Sequence, residues 1–234
     1  MPKNKRSGKN VLVLAAHPDD EVLGCGGAIA KHVASGDVVD VVILAEGVTS
    51  RGAASQKAHA SQLGKLRKCA EAASAILGVR LLSFHTFPDN RMDSVDLLDV
   101  VKTIEIELVK SNPSIVYTHH TGDVNIDHRV IHDAVIAACR PQPGHCVREL
   151  LFFETPSSTE WRPPSSGQVF APNWFVDISE TLPLKLKALA AYKPELRAFP
   201  HPRSPQAVEH LARWRGATVG VVAAEAFMLG RKIT

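Results

Sequence analysis

Apolar runs and helical patterns alternate along the first two-thirds of the chain. Continuous apolar runs bounded by polar residues are typical of strands that are buried on both faces of a sheet. Five such strands are predicted, over residues 11–16, 38–45, 80–84, 114–118 and 150–154. Apolar positions at helical spacing lie between them, over residues 27–35, 57–77, 94–110 and 127–139. This alternation predicts an α/β fold with a mostly parallel sheet and helices on both faces.

The pattern changes after Thr155. Residues 156–172 are rich in proline, serine and glycine, which predicts a long surface loop and a candidate lid. Beyond the loop, the pattern predicts a strand over residues 173–178 and helices over residues 182–191 and 206–215. No internal repeat and no linker interrupts the chain, so we expect one domain over residues 1–234 with a C-terminal extension that covers the functional site. Residues 1–9 are basic and predict a disordered tail.

Composition and charge narrow the functional class. Hydrophobic residues make up 45% of the 234 residues and charged residues 22%, which is ordinary for a soluble globular protein. The net charge is +3 and the basic residues are scattered, so we expect no nucleic-acid partner. No segment approaches the roughly 18 consecutive apolar residues of a membrane span. The first apolar run is followed by polar residues 17–20 rather than by a signal-peptide cleavage site. We therefore expect a cytoplasmic protein, and we leave homo-oligomerisation open.

The cysteines do not form a metal motif. Cys25, Cys69, Cys139 and Cys146 are dispersed and include no CxxC pair. Each lies in or beside an apolar helical or strand pattern, which favours buried free thiols. A metal in this chain would therefore be bound by histidine and aspartate rather than by sulfur.

Three polar clusters follow predicted strands, at residues 17–21, 46–51 and 119–128. Open parallel sheets bind their ligands beyond the carboxyl ends of the strands. Because these ends meet at one edge of the sheet, we expect the three clusters to form one site.

The first cluster has the chemistry of a metal site. Imidazole and carboxylate together suit zinc, and catalytic zinc sites use three protein ligands and keep a position for water. His17 and Asp20 can supply two ligands, which leaves Asp19 free to act as a base. The alternative is that Asp19 and Asp20 only cap the following helix, where their charge suits its amino end.

A dinucleotide-binding loop is a second alternative for this region, because glycines follow the first strand. Gly24, Gly26 and Gly27 do not fit the G-x-G-x-x-G pattern, which would need a glycine at Ile29. The acidic residues 19–21 would also repel a pyrophosphate. We interpret the glycines as positions where the helix approaches the sheet closely.

The motifs resemble those of a known enzyme family. The sequence AHPDDE at residues 16–21, followed by Gly24, together with DHR at residues 127–129, resembles the LmbE-like (PIG-L) zinc-dependent deacetylases, which include enzymes acting on N-acetylglucosaminyl substrates. The resemblance covers residues 11–138 and implies a Rossmann-like core. It also implies Zn²⁺ as the cofactor and a small-molecule amino sugar as the substrate.

The resemblance also implies residue roles. His17, Asp20 and His128 match the zinc ligands of the family. Asp19 matches the general base that activates the attacking water, and Asp127 matches the acidic residue that orients or tunes a histidine.

One position departs from the family pattern. Many members carry a histidine three places before the third ligand, and this chain has Asn125, which donates a hydrogen bond but cannot deliver a proton. Either Asp19 shuttles the proton alone or another residue is the acid, and His201, in a proline-rich turn, is our candidate. Arg51 is a candidate clamp for a substrate hydroxyl, phosphate or carboxylate, with an exposed solvated arginine as the alternative.

Other polar and aromatic residues are weaker candidates. His119 and His120 end the fourth predicted strand, and His132 lies one helical turn after His128, a spacing that also suits a structural histidine. Trp161 and Trp174 could stack on a sugar ring, although Trp174 lies in a strand pattern, which favours the core.

The sequence therefore predicts a zinc-dependent hydrolase that removes an N-acyl group from an amino sugar or sugar conjugate. Two alternatives are a metal-dependent phosphoester hydrolase and a non-catalytic sugar-binding relative. The first would need a second metal and further carboxylates, whereas the second would not need the base at Asp19.

Overall fold

The computed structural model describes residues 8–47, 56–164 and 168–234. The strands are β1 (Asn10–Ala15), β2 (Val38–Ala45), β3 (Leu81–Phe87), β4 (Ile115–His119), β5 (Glu149–Phe153), β6 (Trp174–Asp177) and β7 (Ala224–Lys232). The helices are α1 (Asp20–Ala34), α2 (Gln56–Leu77), α3 (Leu97–Ser111), α4 (Ile126–Ala138), α5 (Leu182–Ala191) and α6 (Pro205–Ala217). Among these helices, none is long and apolar enough to cross a membrane.

The strands form one sheet in the order β3-β2-β1-β4-β5-β7-β6. Strands β1 to β5 are parallel to one another, and β7 pairs antiparallel with both β5 and β6. The predicted α/β fold with a mostly parallel sheet is confirmed. The sequence pattern does not predict β7, because its apolar residues are interrupted by Glu225 and Gly230 and end in a basic pair.

Alternate residues of the central strands pack into two hydrophobic cores, one on each face of the sheet. Val11 and Val13 of β1 belong to the core that includes residues of α1, α2 and α5. Leu12 and Leu14 belong to the core that includes residues of α3 and α4. Both faces are thus covered by helices, which explains why the strands appear in the sequence as continuous apolar runs.

Helix α1 begins at Asp20, whereas the sequence pattern predicts a start at residue 27. The helix has a kink at Cys25, where the backbone leaves the helical region (φ −147°, ψ 23°). A Cβ atom at Gly24 would lie 2.3 Å from Phe153 Cδ2, so only glycine lets α1 approach β5 this closely. The interpretation of a glycine as a site of close approach to the sheet is confirmed for Gly24, whereas a Cβ atom at Gly27 would meet Ile178, which follows β6.

A buried ion pair holds the kinked helix against the C-terminal part of the chain. Both carboxylate oxygens of Glu225 in β7 accept backbone hydrogen bonds, from Gly27 at 2.8 Å and Ala28 at 2.7 Å. Lys185 of α5 donates to Glu225 Oε1 at 2.6 Å and to the carbonyl of Leu23 at 2.8 Å. The N–H groups exposed by the kink are therefore satisfied, and the start of α1, with its acidic residues, is fixed in place.

Candidate metal centre and active site

The site lies where the order of the strands reverses. β1 and β4 are adjacent and parallel, but the chain continues from β1 to one side of the sheet and from β4 to the other. The segments that follow these two strands contain His17 to Asp20 and His120 to His128. Open α/β sheets bind ligands at this kind of switch point.

The turn after β1 presents its carboxylates to the site rather than to the helix end. Asp19 is the residue before α1 and has φ 106°, an unusual value for a residue with a side chain. Its side chain makes no capping hydrogen bond with α1. Asp20 Oδ2 instead accepts a hydrogen bond from the backbone N–H of His17 at 2.9 Å, which closes the turn. Capping alone therefore does not account for the two aspartates.

The three predicted metal ligands converge. Asp20 Oδ2 lies 3.3 Å from His17 Nδ1 and 3.2 Å from His128 Nε2. One candidate ligand atom from each of these residues lies within 4.8 Å of the others, and all three residues are buried. Two imidazoles and one carboxylate at this spacing form a donor set that suits a tetrahedral zinc ion with one open position.

Each candidate histidine ligand has a carboxylate at its other ring nitrogen. His17 Nε2 lies 2.9 Å from Asp127 Oδ2 and 3.2 Å from Asp89 Oδ1. His128 Nδ1 lies 3.1 Å from Asp123 Oδ2. Carboxylates in this position orient metal-ligating histidines and raise their basicity. Asp127 thus contacts His17 rather than its sequence neighbour, and the carboxylate beside His128 is Asp123, which sequence reasoning missed.

Several buried atoms of this cluster lack a well-aligned hydrogen bond. They are Asp20 Oδ1 and both ring nitrogens of His128, whose carboxylate neighbours are near but poorly aligned. Buried polar atoms without partners cost free energy, and coordination to a cation would remove that cost. The residues present therefore fit a divalent metal ion.

The electrostatics of the cluster agree with this conclusion. Burial by itself lowers the pKa of the His17 imidazole, but the surrounding carboxylates outweigh it and raise the pKa well above its usual value. Burial likewise lowers the pKa of His128, but Asp20 and Asp123 outweigh it and raise the pKa to about 9. Carboxylates that raise the pKa of both imidazoles favour positive charge at this point, and a metal ion would provide that charge.

His17 also belongs to a second group of side chains that are close enough together to hold a metal ion. It consists of His17, Asp89 and Asp127. Asp127 Oδ2 accepts a hydrogen bond from the backbone of Asn90 at 2.6 Å, and Oδ1 accepts one from Met92 at 3.0 Å. The Asp127 carboxylate is thus held by backbone donors and by the His17 ring. We interpret this group as the support of His17 rather than as a second metal centre.

The neighbouring histidines support the cluster. His119 stacks on His128 with ring centroids 3.8 Å apart, and His119 Nε2 accepts a hydrogen bond from the backbone of Ala16 at 2.8 Å. Burial lowers the pKa of His119 well below its usual value, so the ring is neutral. His132 Nδ1 lies 2.9 Å from the carbonyl of His119, which places this ring in a structural hydrogen bond.

Asp19, the predicted base, is buried beside a cation that the sequence did not single out. Only 3% of Asp19 is exposed, and its Oδ2 accepts a hydrogen bond from Arg203 Nη1 at 3.2 Å. Burial raises the pKa of the Asp19 carboxyl to about 8, although the Arg203 guanidinium opposes this rise. Arg203 lies in the same proline-rich turn as His201, so the sequence indicates the turn but not the side chain that reaches the site.

Asn125 caps the helix that carries the third candidate ligand. Its Oδ1 accepts a hydrogen bond from the backbone of Asp127 at 2.9 Å, and its Nδ2 donates to Asn90 at 3.1 Å. The side chain thus fixes the start of α4 relative to the segment after β3. A contact of Asn125 with substrate stays a prediction.

The other sequence candidates have different surroundings. The His201 ring contacts Trp161, with centroids 5.9 Å apart, and its Nδ1 accepts a hydrogen bond from the backbone of Arg203. An acid role for His201 stays a prediction. Trp174 lies in β6, half-buried, with Lys232 Nζ 4.4 Å from its ring centroid. Arg51 lies outside the described residues.

The segment after β5 packs onto the site. Asp123 accepts hydrogen bonds from the hydroxyl groups of Ser158 and, at 2.8 Å, Thr159. Residues 155–159 are buried, so the prediction of a surface loop over residues 156–172 is wrong for residues 156–159. Serine and threonine hydroxyls satisfied by a buried carboxylate allow a polar segment to be buried. Trp161, which follows, is 53% exposed.

Asp123 offers a test of these contacts to His128. We expect Asp123→Asn to lower metal affinity by roughly 10- to 100-fold, because the amide no longer orients and polarises the imidazole. The asparagine oxygen can keep accepting from Ser158 and from the backbone N–H of Asn125, and the Thr159 hydroxyl can accept from the new NH2 group, so the fold should survive. Competition with a chelator measures the affinity, and Asp133→Asn, on the exposed side of α4, is the matched control. Equal affinity in the two variants would contradict the role.

Comparison with known proteins identifies the family. Residues 12–139, more than half of the chain and with all the candidate ligands, match the PIG-L family, described as GlcNAc-PI de-N-acetylase. The chain belongs to this family. The predicted LmbE-like (PIG-L) resemblance is confirmed.

Two proteins that are similar to this chain over most of its length are named as deacetylases. An uncharacterized deacetylase of Escherichia coli K12, YaiS, is 30% identical over 196 residues, which cover 81% of this chain and 92% of the relative. Diacetylchitobiose deacetylase of Thermococcus kodakarensis is 28% identical over 193 residues, which cover 79% of this chain and 69% of the relative.

Solved structures share the fold. The conserved protein TT1542 of Thermus thermophilus superposes with a TM-score of 0.76 at 26% identity. The match covers 97% of this chain and 96% of TT1542. The 4-carboxy-2-hydroxymuconate hydratase of Pseudomonas putida KT2440 superposes with a TM-score of 0.74 at 23% identity. The match covers 97% of this chain and 98% of the hydratase. That protein is named as a hydratase rather than a deacetylase, and at this identity the similarity concerns the fold alone. The reaction must therefore be argued from the site.

Proposed function

We propose that this protein is a zinc-dependent N-deacetylase that hydrolyses the N-acetyl group of an amino sugar or sugar conjugate. The observation that carries the proposal is the convergence of His17, Asp20 and His128 beside the buried carboxylate of Asp19. A site that only bound a sugar would not need a buried base next to its candidate metal ligands.

The three convergent residues would hold the zinc ion. When bound, the ion supplies a Lewis acid that polarises the acyl carbonyl and lowers the pKa of water from ~15.7 towards ~7. Asp127 and Asp123 keep the ligating histidines oriented through their second ring nitrogens.

We assign the general base to Asp19, because its carboxylate is buried and the residue directly precedes the candidate ligand Asp20. Its carboxylate takes the proton of the water that attacks the amide carbonyl. The departing amine must then gain a proton, and two sources are open: Asp19 returns the proton it took, or His201 supplies one. His201 is connected to the base through the turn, since its ring accepts from the backbone N–H of Arg203, whose side chain donates to Asp19. We assign Asn125 to holding the start of α4 and to donating a hydrogen bond to substrate.

The substrate class rests on the relatives. The family is described by a GlcNAc-bearing substrate, and one relative is named for diacetylchitobiose. Both names describe N-acetylated glucosamine units. The exposed Trp161, two residues beyond the segment that contacts Asp123, offers an aromatic surface for a sugar ring.

The test is a substrate panel with the metal controlled. Purified protein is stripped with a chelator, reloaded with Zn²⁺, and assayed for free amine and acetate on N-acetylglucosamine, diacetylchitobiose and N-acetylglucosaminyl conjugates. We expect zinc-dependent release of amine from at least one compound. A phosphate monoester and a diester are assayed in parallel, because they report the alternative phosphoester activity. Release of phosphate with no release of amine would overturn the proposal, and so would sugar binding without turnover of any amide.

A further inference from the structure

We propose that Arg203 is a positioning residue that holds the Asp19 carboxylate in its working orientation. This inference rests on the proposed function, since it assigns Arg203 to the base of that reaction. The juxtaposition that carries it is a single guanidinium group that donates both to Asp19, in the turn after β1, and to Ser157, in the segment after β5.

The two contacts fix the guanidinium at both of its ends. Arg203 Nη1 donates to Asp19 Oδ2 at 3.2 Å, and Nε donates to Ser157 Oγ at 2.7 Å. Ser157 is itself held, because its backbone N–H donates to Glu160 Oε1 at 2.6 Å. Arginine presents its donors in a rigid planar fork, so anchoring Nε on Ser157 defines where the Nη1 donor lies.

The backbone of Arg203 is fixed as well. Its N–H donates to His201 Nδ1 at 3.1 Å, and the next residue, Ser204, donates its N–H to the carbonyl of His201 at 2.9 Å. Ser204 is the N-cap of α6, where its hydroxyl oxygen accepts from the backbone of Ala207 at 3.0 Å. The long side chain of Arg203 therefore starts from a rigid turn and reaches acceptors that are themselves fixed.

Asp19 needs such a partner. Its carboxylate is buried, and the carboxylates of Asp20, Glu21 and Glu195 repel negative charge on it. The Arg203 hydrogen bond holds Oδ2, so we expect the other oxygen, Oδ1, to take the proton of the attacking water. Arg203 thus determines which oxygen of Asp19 accepts the proton and where that oxygen lies.

This role predicts an effect on turnover rather than on binding. A displacement of about 1 Å of a catalytic group can cost on the order of 10²-fold in rate. We expect Arg203→Ala to lower kcat by roughly 10²-fold with little change in KM. Arg203→Lys should fall between this variant and wild type, because lysine keeps the charge but not the planar fork.

The experiment compares these variants with Arg197→Ala. Arg197 lies in the same part of the chain, but its guanidinium contacts backbone carbonyls of residues 194–196. For each variant we measure kcat and KM on the best amide of the panel, zinc content and the thermal unfolding midpoint. Guanidinium chloride, at low millimolar concentration, is then added to Arg203→Ala, where we expect partial recovery of kcat. A crystal structure of Arg203→Ala should show the Asp19 carboxylate rotated away from its position in the parent protein.

The possible results separate the explanations. Unchanged kcat, or a raised KM with unchanged kcat, would overturn the proposal, the latter by assigning Arg203 to substrate binding. A lower kcat with a reduced unfolding midpoint, an unmoved Asp19 carboxylate and no recovery with guanidinium would also overturn it, by making Arg203 a structural residue. If the parent protein hydrolyses amides and Asp19→Asn does not, the proposed function holds whatever Arg203 does. If no amide is hydrolysed by the parent protein, both proposals fail.

Discussion

Replacing Asp19 with asparagine is expected to remove most amide hydrolysis while leaving the fold and the metal content unchanged. Asparagine has nearly the same shape as aspartate but cannot take a proton, and general-base catalysis contributes on the order of 10²–10⁴-fold to the rate. The measurement is kcat on the best amide of the panel, with zinc content and thermal unfolding measured on the same preparation.

The matched control for this variant is Asp93→Asn, an exposed aspartate in the short helical turn before α3. It carries the same chemical change away from the site and should keep parental turnover. Near-parental turnover in Asp19→Asn would show that Asp19 is not the base, and the acid–base assignment would then have to begin from another residue. Loss of zinc in Asp19→Asn would place it among the ligands instead.

The second large effect concerns the metal. The purified protein should bind about one zinc ion per chain, and His17→Ala, Asp20→Ala and His128→Ala should each reduce zinc content sharply, because a site with three protein ligands has no spare member. Zinc should also raise the unfolding midpoint of the parent protein, since a ligand at about 100 times its Kd stabilises the native state by ~2.7 kcal/mol. The three variants should lose this increase.

The control for the ligand variants is His132→Gln, one helical turn after His128. At that spacing His132 is the alternative candidate for the third ligand. However, its Nδ1 is within hydrogen-bond distance of the carbonyl of His119 and its ring packs on Phe152. We expect this variant to keep its zinc even if its stability falls. Parental zinc content in all three ligand variants would contradict the site, and loss of zinc in His132→Gln would mean that the ligand set is wrong.

The local motif and the parallel part of the sheet were determined by the sequence. The apolar runs placed β1, β2, β4 and β5, and the alternation with helices required a parallel sheet. A parallel sheet brings the ends of β1 and β4 to one edge, so residues 17–20 and 128 could be expected together without coordinates. The resemblance of AHPDDE and DHR to the family, now confirmed, rests on those same short segments.

Only the tertiary structure decided which side chains surround the candidate ligands. Asp123 is one of several polar residues in a ten-residue cluster, and nothing in its spacing distinguishes it from Asp127 as the neighbour of His128. The distinction depends on which face each carboxylate presents once α4 packs on the sheet, where Asp123 meets His128 and Asp127 meets His17. Contacts of this kind depend on how the helix packs against the sheet, and such packing leaves no periodic pattern in a single sequence.

The same reason explains why the sequence does not indicate Arg203. It lies 184 residues from Asp19 along the chain, and a proline-rich turn indicates where the backbone bends but not which of its side chains turns inward. The sequence therefore determined the parallel part of the sheet, the candidate metal-binding motif and the candidate base. The packing of the C-terminal extension decided what holds that base in place, because the Glu225–Lys185 ion pair and the buried residues 155–159 fix this extension against the core.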